Sequence, residues 1–485
     1  MHSFELDFPA LQRRIDRAWR DDILPALCEY IAIPCESPAF DPEWAANGHM
    51  DRAALLMTDW ARTHLATLPG ARVDTLRLPG RTPLIFIEIP GHGDGVDPDG
   101  ADTPVLIYGH LDKQPPMPGW APGREAWTPV FEGERLYGRG GADDGYAIFA
   151  AIAALTALRE QGVAHPPCRI LIEASEESSS VDLPAYIETL APRLGEPTLI
   201  VALDAGCGNY DQLWTTTSLR GQVAATLSVR VLDEGVHSGD ASGIVPSSFR
   251  IARQLLSRLE DPRSGEIVDA FHVPIPPQRR EQAAVAGAAL GQGLLDGFPF
   301  HGDTRAVVED PGELALNRAW RPQLAITGID GAPRVADAAA VMQPCTALKL
   351  SLRLPPTLDP ETAAQRMREL LLADPPYRSA VSFELDFASR GWHAPQAAPW
   401  LAASLERASQ LAFGRGSALI GGGGGIPFLA MLGERYPQAQ FLVTGVLGPQ
   451  SNAHGPNEFL HLPTARRLTA ALAQVLHDAT HAERD

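Results

Sequence analysis

The sequence is poor in cysteine, and the few cysteines follow no pattern. Among 485 residues there are five, with no C-x-x-C pair: Cys28, Cys35, Cys168, Cys207 and Cys345. A secreted disulfide scaffold uses an even set of cysteines at close spacing, and a thiolate zinc site uses cysteine pairs. Neither kind of structure is therefore expected, and a reducing, cytoplasmic location fits this composition best.

Long apolar runs and an excess of positive charge are also missing. The chain has no uninterrupted run of about 18 uncharged apolar residues and no apolar opening segment, so neither a membrane span nor a signal peptide is expected. It has 40 Lys and Arg against 59 Asp and Glu, a formal net charge of −19. Such a chain is repelled by nucleic-acid phosphates and by anionic lipid. We expect neither as a partner.

The two ends of the chain alternate helical and strand-like patterns. Apolar runs at residues 84–89, 105–108, 169–174 and 198–203 resemble parallel strands covered on both faces. After Asp143, an almost wholly apolar stretch that stops at Gly162 predicts a buried helix. The same alternation resumes near residue 391. Residues 1–216 and 391–485 are therefore predicted to form one discontinuous α/β domain, with a mostly parallel sheet flanked by helices.

The middle of the chain has a different pattern. Apolar and polar residues alternate in residues 222–231 and 347–354, which is typical of strands with one solvated face. The predicted order from 222 to 387 is strand, helix, strand, strand, helix, strand, as in a ferredoxin-like α+β layer. Residues 261–321 are rich in proline and glycine and are predicted to be loop with one helix at 281–295. We expect residues 217–390 to form an inserted lid and dimerisation domain.

Acids and histidines lie at or shortly after the ends of the predicted strands. Ligand sites in open α/β sheets lie at this carboxyl edge. One such acid has a simpler explanation, since an Asp before a helix is a common cap, but four strand ends in register are not explained in this way. The residues are His110, Asp112, Asp143, the pair Glu176 and Glu177, Asp204 and, after the last strand, His454.

This set predicts a centre for two metal ions. Two histidines and three carboxylates exceed one tetrahedral shell but supply two ions if one carboxylate bridges them, and such donors suit zinc first, then manganese or cobalt. The adjacent Glu176 and Glu177 favour one metal ligand beside one general base, whereas the alternative is a solvated acidic turn. Asp112, two residues after His110, is placed to hold its imidazole, unless the two form only a structural pair.

In chain order, seven motifs resemble those of the aminoacylase and carnosinase family of di-metal peptidases, in the branch of cytosolic dipeptidases with a large lid. They are YGHLD, YGRGGADDG, EASEES, LDAG, VHSGDASGIVPSS, LSLRLPP and SNAHGPNEF. The resemblance spans nearly the whole chain. It implies that Asp143 bridges two ions, that His110 and Asp204 bind one of them, and that Glu177 and His454 bind the other.

The resemblance also implies catalytic roles. Glu176 would be the general base for a hydroxide that bridges the two ions, and Asp112 would orient His110. The peptide bond after Asp143 would be cis. His237 would reach the substrate carbonyl, often across a dimer interface, and stabilise the developing oxyanion.

Substrate recognition is where this chain departs from the family. Arg353 is similar to the residue that pairs with the substrate carboxylate, although an ordinary exposed strand arginine is the alternative. Residues 421–425 are all glycine where dipeptidases commonly read Arg-Glu-Gly-Gly-Ser before Ile-Pro. The backbone amides of Gly424 and Gly425 are placed to bind a carboxylate in place of those missing side chains. Ala340 stands where relatives often have Thr or Asn.

Three functions are open at this point. The expected one is hydrolysis of the amide bond in dipeptides or small peptides by a homodimer. An N-acyl-amino-acid deacylase, a deacetylase or a desuccinylase, needs the same metals and base and differs only in its pocket. A binding protein that has lost turnover is the third, but loss of function usually removes the base or a ligand, and both are present here.

Overall fold

The computed structural model of the protein describes residues 5–93, 96 and 103–482. A five-residue π-helix, Trp19–Ile23, joins the first two α-helices into one continuous N-terminal helical segment. In chain order, the α-helices of the described residues are α1 (Phe8–Ala18), α2 (Leu24–Ile31), α3 (Trp44–Asn47), α4 (His49–Leu65), α5 (Ala147–Glu160), α6 (Leu183–Leu194), α7 (Ser238–Ala241), α8 (Ser248–Leu256), α9 (Pro277–Leu290), α10 (Pro311–Ala319), α11 (Pro360–Leu372), α12 (Pro399–Phe413), α13 (Pro427–Arg435) and α14 (Leu462–Ala479).

The strands are numbered in the same way. They are β1 (Arg72–Leu76), β2 (Leu84–Ile89), β3 (Val105–His110), β4 (Val130–Glu132), β5 (Arg135–Tyr137), β6 (Cys168–Glu173), β7 (Leu199–Ala202), β8 (Trp214–Leu219), β9 (Gly221–Arg230), β10 (Val236–His237), β11 (Gln323–Asp330), β12 (Val341–Met342), β13 (Cys345–Leu354), β14 (Ala380–Ser389), β15 (Trp392–His393), β16 (Ala418–Gly422), β17 (Gln440–Val443) and β18 (Phe459–His461).

A six-stranded sheet, in the order β1-β2-β6-β3-β7-β17, forms the centre of the molecule. Strands β6, β3, β7 and β17 are parallel, and β1 and β2 are antiparallel additions at one edge. Every residue of β3, β6 and β7 is buried, because α5 and α14 pack with other helices on one face and α6 and α13 pack on the other. The predicted α/β class with a mostly parallel sheet is confirmed.

The predicted buried helix is α5, which packs against α14, α4 and α1. In the described part of the chain, one helical segment has the length and hydropathy to cross a membrane: residues 141–160, which include α5. This segment is wholly buried inside the protein. The core helix of a folded domain meets the same criterion. The cytoplasmic location is not tested by this finding and stays a prediction.

A four-stranded antiparallel sheet, in the order β11-β13-β9-β14, is built from the middle of the chain. Helices α8 and α11 pack on one face, so that strand, helix, strand, strand, helix and strand follow in the predicted order. Strand β13 alternates as expected, since Leu352 and Leu354 are fully buried whereas Arg353 is only half-buried. The ferredoxin-like layer is therefore present.

The segment 261–321 holds more structure than predicted. We expected one helix at 281–295, but α9 begins earlier, at Pro277, and α10 follows it. Helix α10 was missed because its start, Pro311-Gly312, is typical of loops. In fact Asp310 caps the helix by accepting the backbone N–H of Glu313, and proline is well suited to the first turn.

Helices α9 and α10 pack on each other and on β16, away from the four-stranded sheet. Strand β16 pairs with β8, and β8 runs from Trp214 to Leu219, across the predicted domain boundary at residue 217. Strand β9 of the four-stranded sheet begins at Gly221. The limits of the lid domain, 217–390, therefore stay a proposal, and part of the intervening chain packs against the sheet of β8 and β16.

Candidate metal centre

Three neighbouring strands bring most of the predicted site together. Strands β6, β3 and β7 are parallel neighbours, so their carboxyl ends meet at one edge of the sheet. His110 is the last residue of β3, Glu176 and Glu177 begin a 3-10 turn after β6, and Asp204 follows β7. The strand-end signal in the sequence therefore corresponds to one place in space.

Two loops supply the remaining candidate ligands. Asp143 lies in the turn Gly141–Gly145, directly before α5, and its peptide bond to Asp144 is cis, as the resemblance implied. His454 lies in the loop between β17 and β18. Asp143 is buried, whereas the His454 side chain is 56% exposed at the opening of the site.

The five predicted ligands form two groups that share Asp143. In one group the ligand atoms of His110, Asp143 and Asp204 lie within 4.8 Å of one another, and in the other those of Asp143, Glu177 and His454 do. One carboxylate oxygen of Asp143 is 3.3 Å from His110 Nε2, and the other is 3.1 Å from His454 Nε2. Each oxygen thus faces a different group, which is the geometry of a bridging carboxylate.

The centre carries more negative charge than the protein neutralises. In the described residues, no Lys or Arg lies within 4.0 Å of the carboxylates of Asp143, Asp204, Glu176 or Glu177. Burial, added to by neighbouring carboxylates, raises the pKa of Glu177 to about 8 and that of Asp204 to about 7. Partial desolvation at the opening of the site opposes the charged form of His454, but hydrogen bonding to Asp143 and nearby acids raise its pKa to about 9. The site therefore favours bound positive charge.

This donor set fits two divalent ions. It has three carboxylates and two imidazoles, arranged as three donors per group with one carboxylate shared, and in the described chain no thiolate belongs to either group. Oxygen and nitrogen donors in these numbers suit zinc, manganese and cobalt. The fit rests on donor chemistry and on the charge excess of the site.

Asp112 contacts the site differently from what we expected. His110 Nδ1 donates to the backbone carbonyl of Asp112 at 3.0 Å, while the nearer carboxylate oxygen is 3.6 Å away. The carboxylate instead accepts the backbone N–H groups of Glu176, at 3.1 Å, and Glu177, at 3.0 Å. Asp112 thus links β3 to the glutamate pair, and its main chain rather than its carboxylate is the closer partner of the imidazole.

Glu176 faces the cavity beside the metal groups. Its side chain has no hydrogen-bond partner among the described residues, whereas Glu177 Oε2 accepts a bond of 2.6 Å from Gln114. Burial, together with the charge of Asp204, raises the pKa of Glu176 well above its usual range. An unpartnered carboxylate with a raised proton affinity is suited to accept a proton.

The sequence did not reveal a buried ion pair that holds the two ligand loops. Arg139 pairs with Glu458 at 2.6 Å, and both side chains are at most 1% exposed. Glu458 also accepts the backbone N–H groups of Gly140 and Ala142, just before Asp143. Arg139 donates to the carbonyl of Gly455, just after His454. Both residues occur in motifs noted above, but no spacing rule pairs residues 319 positions apart.

A cavity of about 970 Å³ opens from the metal groups. Arg353, Gly424 and Gly425, the predicted substrate-binding residues, all line it. His237 does not: its side chain is 68% exposed and lies 3.6 Å from Asp240. The structure therefore gathers the predicted substrate-binding residues and four of the five predicted metal ligands around one cavity, with His110 buried next to them, and leaves the predicted oxyanion residue outside it.

Comparison with known proteins agrees with this geometry. The model of peptidase family M20/M25/M40 matches residues 106–478, which include every candidate ligand. The chain belongs to this family. It is therefore a metallopeptidase by family, and its two donor groups have the chemistry to bind the metal ions that such an enzyme needs.

Relatives of this M20 chain include two dipeptidases. It is 25% identical over 391 residues to a Cysteinylglycine-S-conjugate dipeptidase from Corynebacterium striatum, covering 78% of this chain and 82% of the relative. It is also 25% identical over 465 residues to a Beta-Ala-His dipeptidase from Rattus norvegicus, covering 90% of this chain and 89% of the relative.

Solved structures share the fold of this M20 chain. Human carnosine dipeptidase 1 superimposes with a TM-score of 0.73 at 22% identity, over 99% of this chain and 100% of that one. The dipeptidase Dug1p from Saccharomyces cerevisiae gives a TM-score of 0.71 at 19% identity, over 99% of each chain. The whole architecture, including the four-stranded sheet, is thus found in known proteins.

Proposed function

We propose that this chain hydrolyses the amide bond of dipeptides or similar small peptides with two divalent metal ions. The observation that carries the proposal is the pair of donor groups sharing Asp143, which open with Glu176 onto one cavity. The cavity, about 970 Å³, has room for a small peptide. The activities named for the two dipeptidase relatives support this substrate class.

His110, Asp143 and Asp204 would hold one ion, and Asp143, Glu177 and His454 the other. Bound there, a pair of divalent ions activates water and polarises a carbonyl. A solved relative of 12% identity is described as a dinuclear metal-binding peptidase of the M20 family, which supports a two-ion site. We propose zinc, and the same donors accept manganese or cobalt.

Glu176 is the proposed general base. It would accept a proton from the attacking water and pass it to the leaving amine, which keeps the proton balance of amide hydrolysis. Asp112 would be a positioning residue, because its carboxylate holds the backbone N–H groups of Glu176 and Glu177. At the far end of the cavity, Arg353 with the amides of Gly424 and Gly425 would bind the substrate carboxylate.

We further propose that the active form is a homodimer through the lid. His237 lies outside the cavity lining of its own chain and is largely exposed, so it is free to enter the cavity of a second copy. There it would donate a hydrogen bond to the substrate carbonyl as negative charge develops. A monomer in solution with normal catalytic activity would contradict this arrangement.

A deacylase is the second candidate function. The chain is 28% identical over 239 residues to a Succinyl-diaminopimelate desuccinylase from Gluconobacter oxydans, although this match covers only 40% of this chain. Metals and base would be the same in both reactions, so the substrate pocket decides between them.

The deciding experiment is a substrate panel with metal-reconstituted protein. It compares free dipeptides with N-acetyl and N-succinyl amino acids. Each substrate is assayed with the metal-loaded protein, after a chelator has removed the metal, and again after zinc, manganese or cobalt has been added back. We expect chelator-sensitive release of amino acids from dipeptides. Cleavage of N-acyl substrates alone would replace the dipeptidase by the deacylase, and no cleavage of either class with metal bound would overturn both.

A further inference from the structure

The cavity has a second charged region, opposite in sign to the metal centre. Arg318, at the end of α10, and Arg353, on β13, both line the cavity. Arg220, between β8 and β9, lies next to them, since both lower its pKa, to about 10, in addition to the larger effect of burial. We call these three residues the arginine cluster.

Two members of the arginine cluster have no partner within the protein. In the part of the chain that the structure describes, Arg318 and Arg353 have no acidic group within 4.0 Å and no hydrogen-bond acceptor, although other arginines nearby do. Arg390, which also lines the cavity, pairs with Asp359 and Glu434. Of the three arginines that line the cavity among the described residues, Arg318 and Arg353 are the unpaired ones.

Arg220 has a different use. Its Nε donates to the carbonyl of Gly423 at 3.2 Å, and its Nη1 donates to the carbonyl of Asn317 at 3.2 Å. These bonds tie the glycine run to α10 and leave Arg220 occupied by main-chain carbonyls. Only Arg318 and Arg353 are then available to a ligand.

The glycine run makes room for this arrangement. A Cβ at Gly423 would come within 3.3 Å of Arg318 Cγ and 3.4 Å of Arg220 Nη2. A Cβ at Gly421 would overlap the Cβ of Ala319, the last residue of α10. Side chains at Gly421 and Gly423 would therefore press on α10 and the arginine cluster, and a Cβ at Gly422 would overlap Leu219 Cδ2 on β8, at 2.6 Å. The glycine run itself carries no charged side chain, and Arg318 on α10 and Arg353 on β13 supply positive charge to the same cavity.

We propose that the arginine cluster is a subsite for two carboxylates, so that the preferred substrate is a dipeptide with an acidic C-terminal residue, Glu or Asp. The inference rests on the proposed dipeptidase function and names its substrate class. Arg353 binds the α-carboxylate, and Arg318 binds the side-chain carboxylate of the same residue.

The number of free guanidiniums is the reason for two carboxylates. A guanidinium binds a carboxylate through two parallel hydrogen bonds, and a charge enclosed by protein is costly when it stays unpaired. Arg353 is half-buried and Arg318 is exposed on the cavity wall, so the cost of an unpaired charge applies mainly to Arg353, whereas Arg318 offers a free donor beside it. A ligand with one carboxylate would leave one guanidinium unpaired, whereas a ligand with two satisfies both.

The test compares Ala-Glu with Ala-Gln, which have nearly the same shape and differ by one charge. Their binding is measured by titration calorimetry on the full-length, metal-loaded chain carrying Glu176→Gln, so that the substrate is not consumed. We expect Ala-Glu to bind about tenfold more tightly, as for one charge-assisted contact. Equal binding of the two dipeptides would overturn the inference.

Variants in the same background assign the effect to Arg318. Arg318→Gln should reduce the preference for Ala-Glu to about twofold or less, and Arg318→Lys should keep part of it, since the charge remains but the bidentate geometry is lost. Arg321→Gln is the matched control, because Arg321 is three residues away and already paired with Glu313. An undiminished preference in Arg318→Gln would also overturn the inference.

Turnover by the unmodified chain separates this inference from the proposed function. Hydrolysis of Ala-Gln as fast as Ala-Glu refutes the acidic subsite and leaves the dipeptidase intact. A clear binding preference for Ala-Glu without hydrolysis of either dipeptide refutes the dipeptidase and leaves the subsite intact.

Discussion

The two ends of the cavity differ in charge and in how the chain builds them. The metal end is made of carboxylates and imidazoles, most of which follow three adjacent, fully buried parallel strands, while Asp143 and His454 come from loops. The arginine end is made of side chains from a strand junction, a short helix and the lid sheet, which lie beside the glycine run 421–425. One end rests on a rigid regular scaffold, and the other on contacts between segments far apart in the sequence.

The difference suggests a division of tasks. A centre that activates water needs donors held to fractions of an ångström, which strands fixed on both faces provide. Recognition of a substrate end group tolerates replacement, because any guanidinium that reaches the same place can bind the same carboxylate. We therefore expect variants at the metal end to lower turnover for every substrate, and variants at the arginine end to change which substrate is preferred.

The largest effect is expected at Glu176. Glu176→Gln removes the proton acceptor and should lower kcat by about 10²- to 10⁴-fold, with the metal content unchanged. Glu173→Gln is the comparison, since Glu173 is buried in the same segment but accepts bonds from Tyr108, Ser175 and Ser180. It should lower the melting temperature and leave kcat within about tenfold. Near-normal turnover in Glu176→Gln would refute its role.

A smaller loss is expected at Asp112. Asp112→Asn keeps the backbone carbonyl that His110 contacts but weakens the acceptor for the N–H groups of Glu176 and Glu177. Groups that position metal ligands typically contribute about 10- to 100-fold to activity or metal affinity. Steady-state kinetics on Ala-Glu and Ala-Gln should show the same loss for both. A loss of activity on only one of the two dipeptides would contradict the proposed division of tasks between the two ends of the cavity.

At the arginine end, Gly421→Ala should act through packing. The added methyl overlaps Ala319 and forces α10 away from β16, at a cost of about 1–3 kcal/mol in the free energy of unfolding. Gly433→Ala is the matched control, because its Cβ would lie 3.5 Å from Trp392 Nε1, an ordinary contact. Denaturant unfolding should separate them, and the preference for Ala-Glu should fall only in the first variant. Equal stability of the two would show that α10 is not packed tightly there.

The smallest effect concerns pH. The guanidiniums of Arg318 and Arg353 keep their charge across the neutral range, because arginine stays protonated in proteins, and a substrate glutamate is ionised above about pH 5. The ratio of kcat/KM for Ala-Glu to that for Ala-Gln should therefore change by less than about twofold between pH 6 and 9. A steep fall between pH 6 and 8 would indicate recognition by a histidine instead.

The sequence predicted the metal end well for a physical reason. Apolar strands and the acids at their ends are local signals, and parallel strands bring their carboxyl ends to one edge whatever the connections between them. His110, Glu177 and Asp204 could be grouped on that basis. The helix α5 and the alternation around Arg353 were local signals too, and both are present.

The arginine end could not be predicted because its cause is not local. Helix α10 begins with a proline and a glycine, which mask it, and Arg318 has significance only beside a glycine run about a hundred residues away. The same is true of the Arg139–Glu458 pair, and of the carbonyl of Asp112 replacing its carboxylate next to His110. Contacts of this kind depend on tertiary packing, on which residue patterns carry no information.

The central claim is that Asp143 is shared by two metal sites, and metal counting tests it most directly. Elemental analysis of purified protein after dialysis should find about two divalent ions per unmodified chain, about one in Asp204→Asn, and almost none in Asp143→Asn, because only the last variant affects both donor groups. Two ions retained by Asp143→Asn, or none bound by the unmodified chain, would contradict the account.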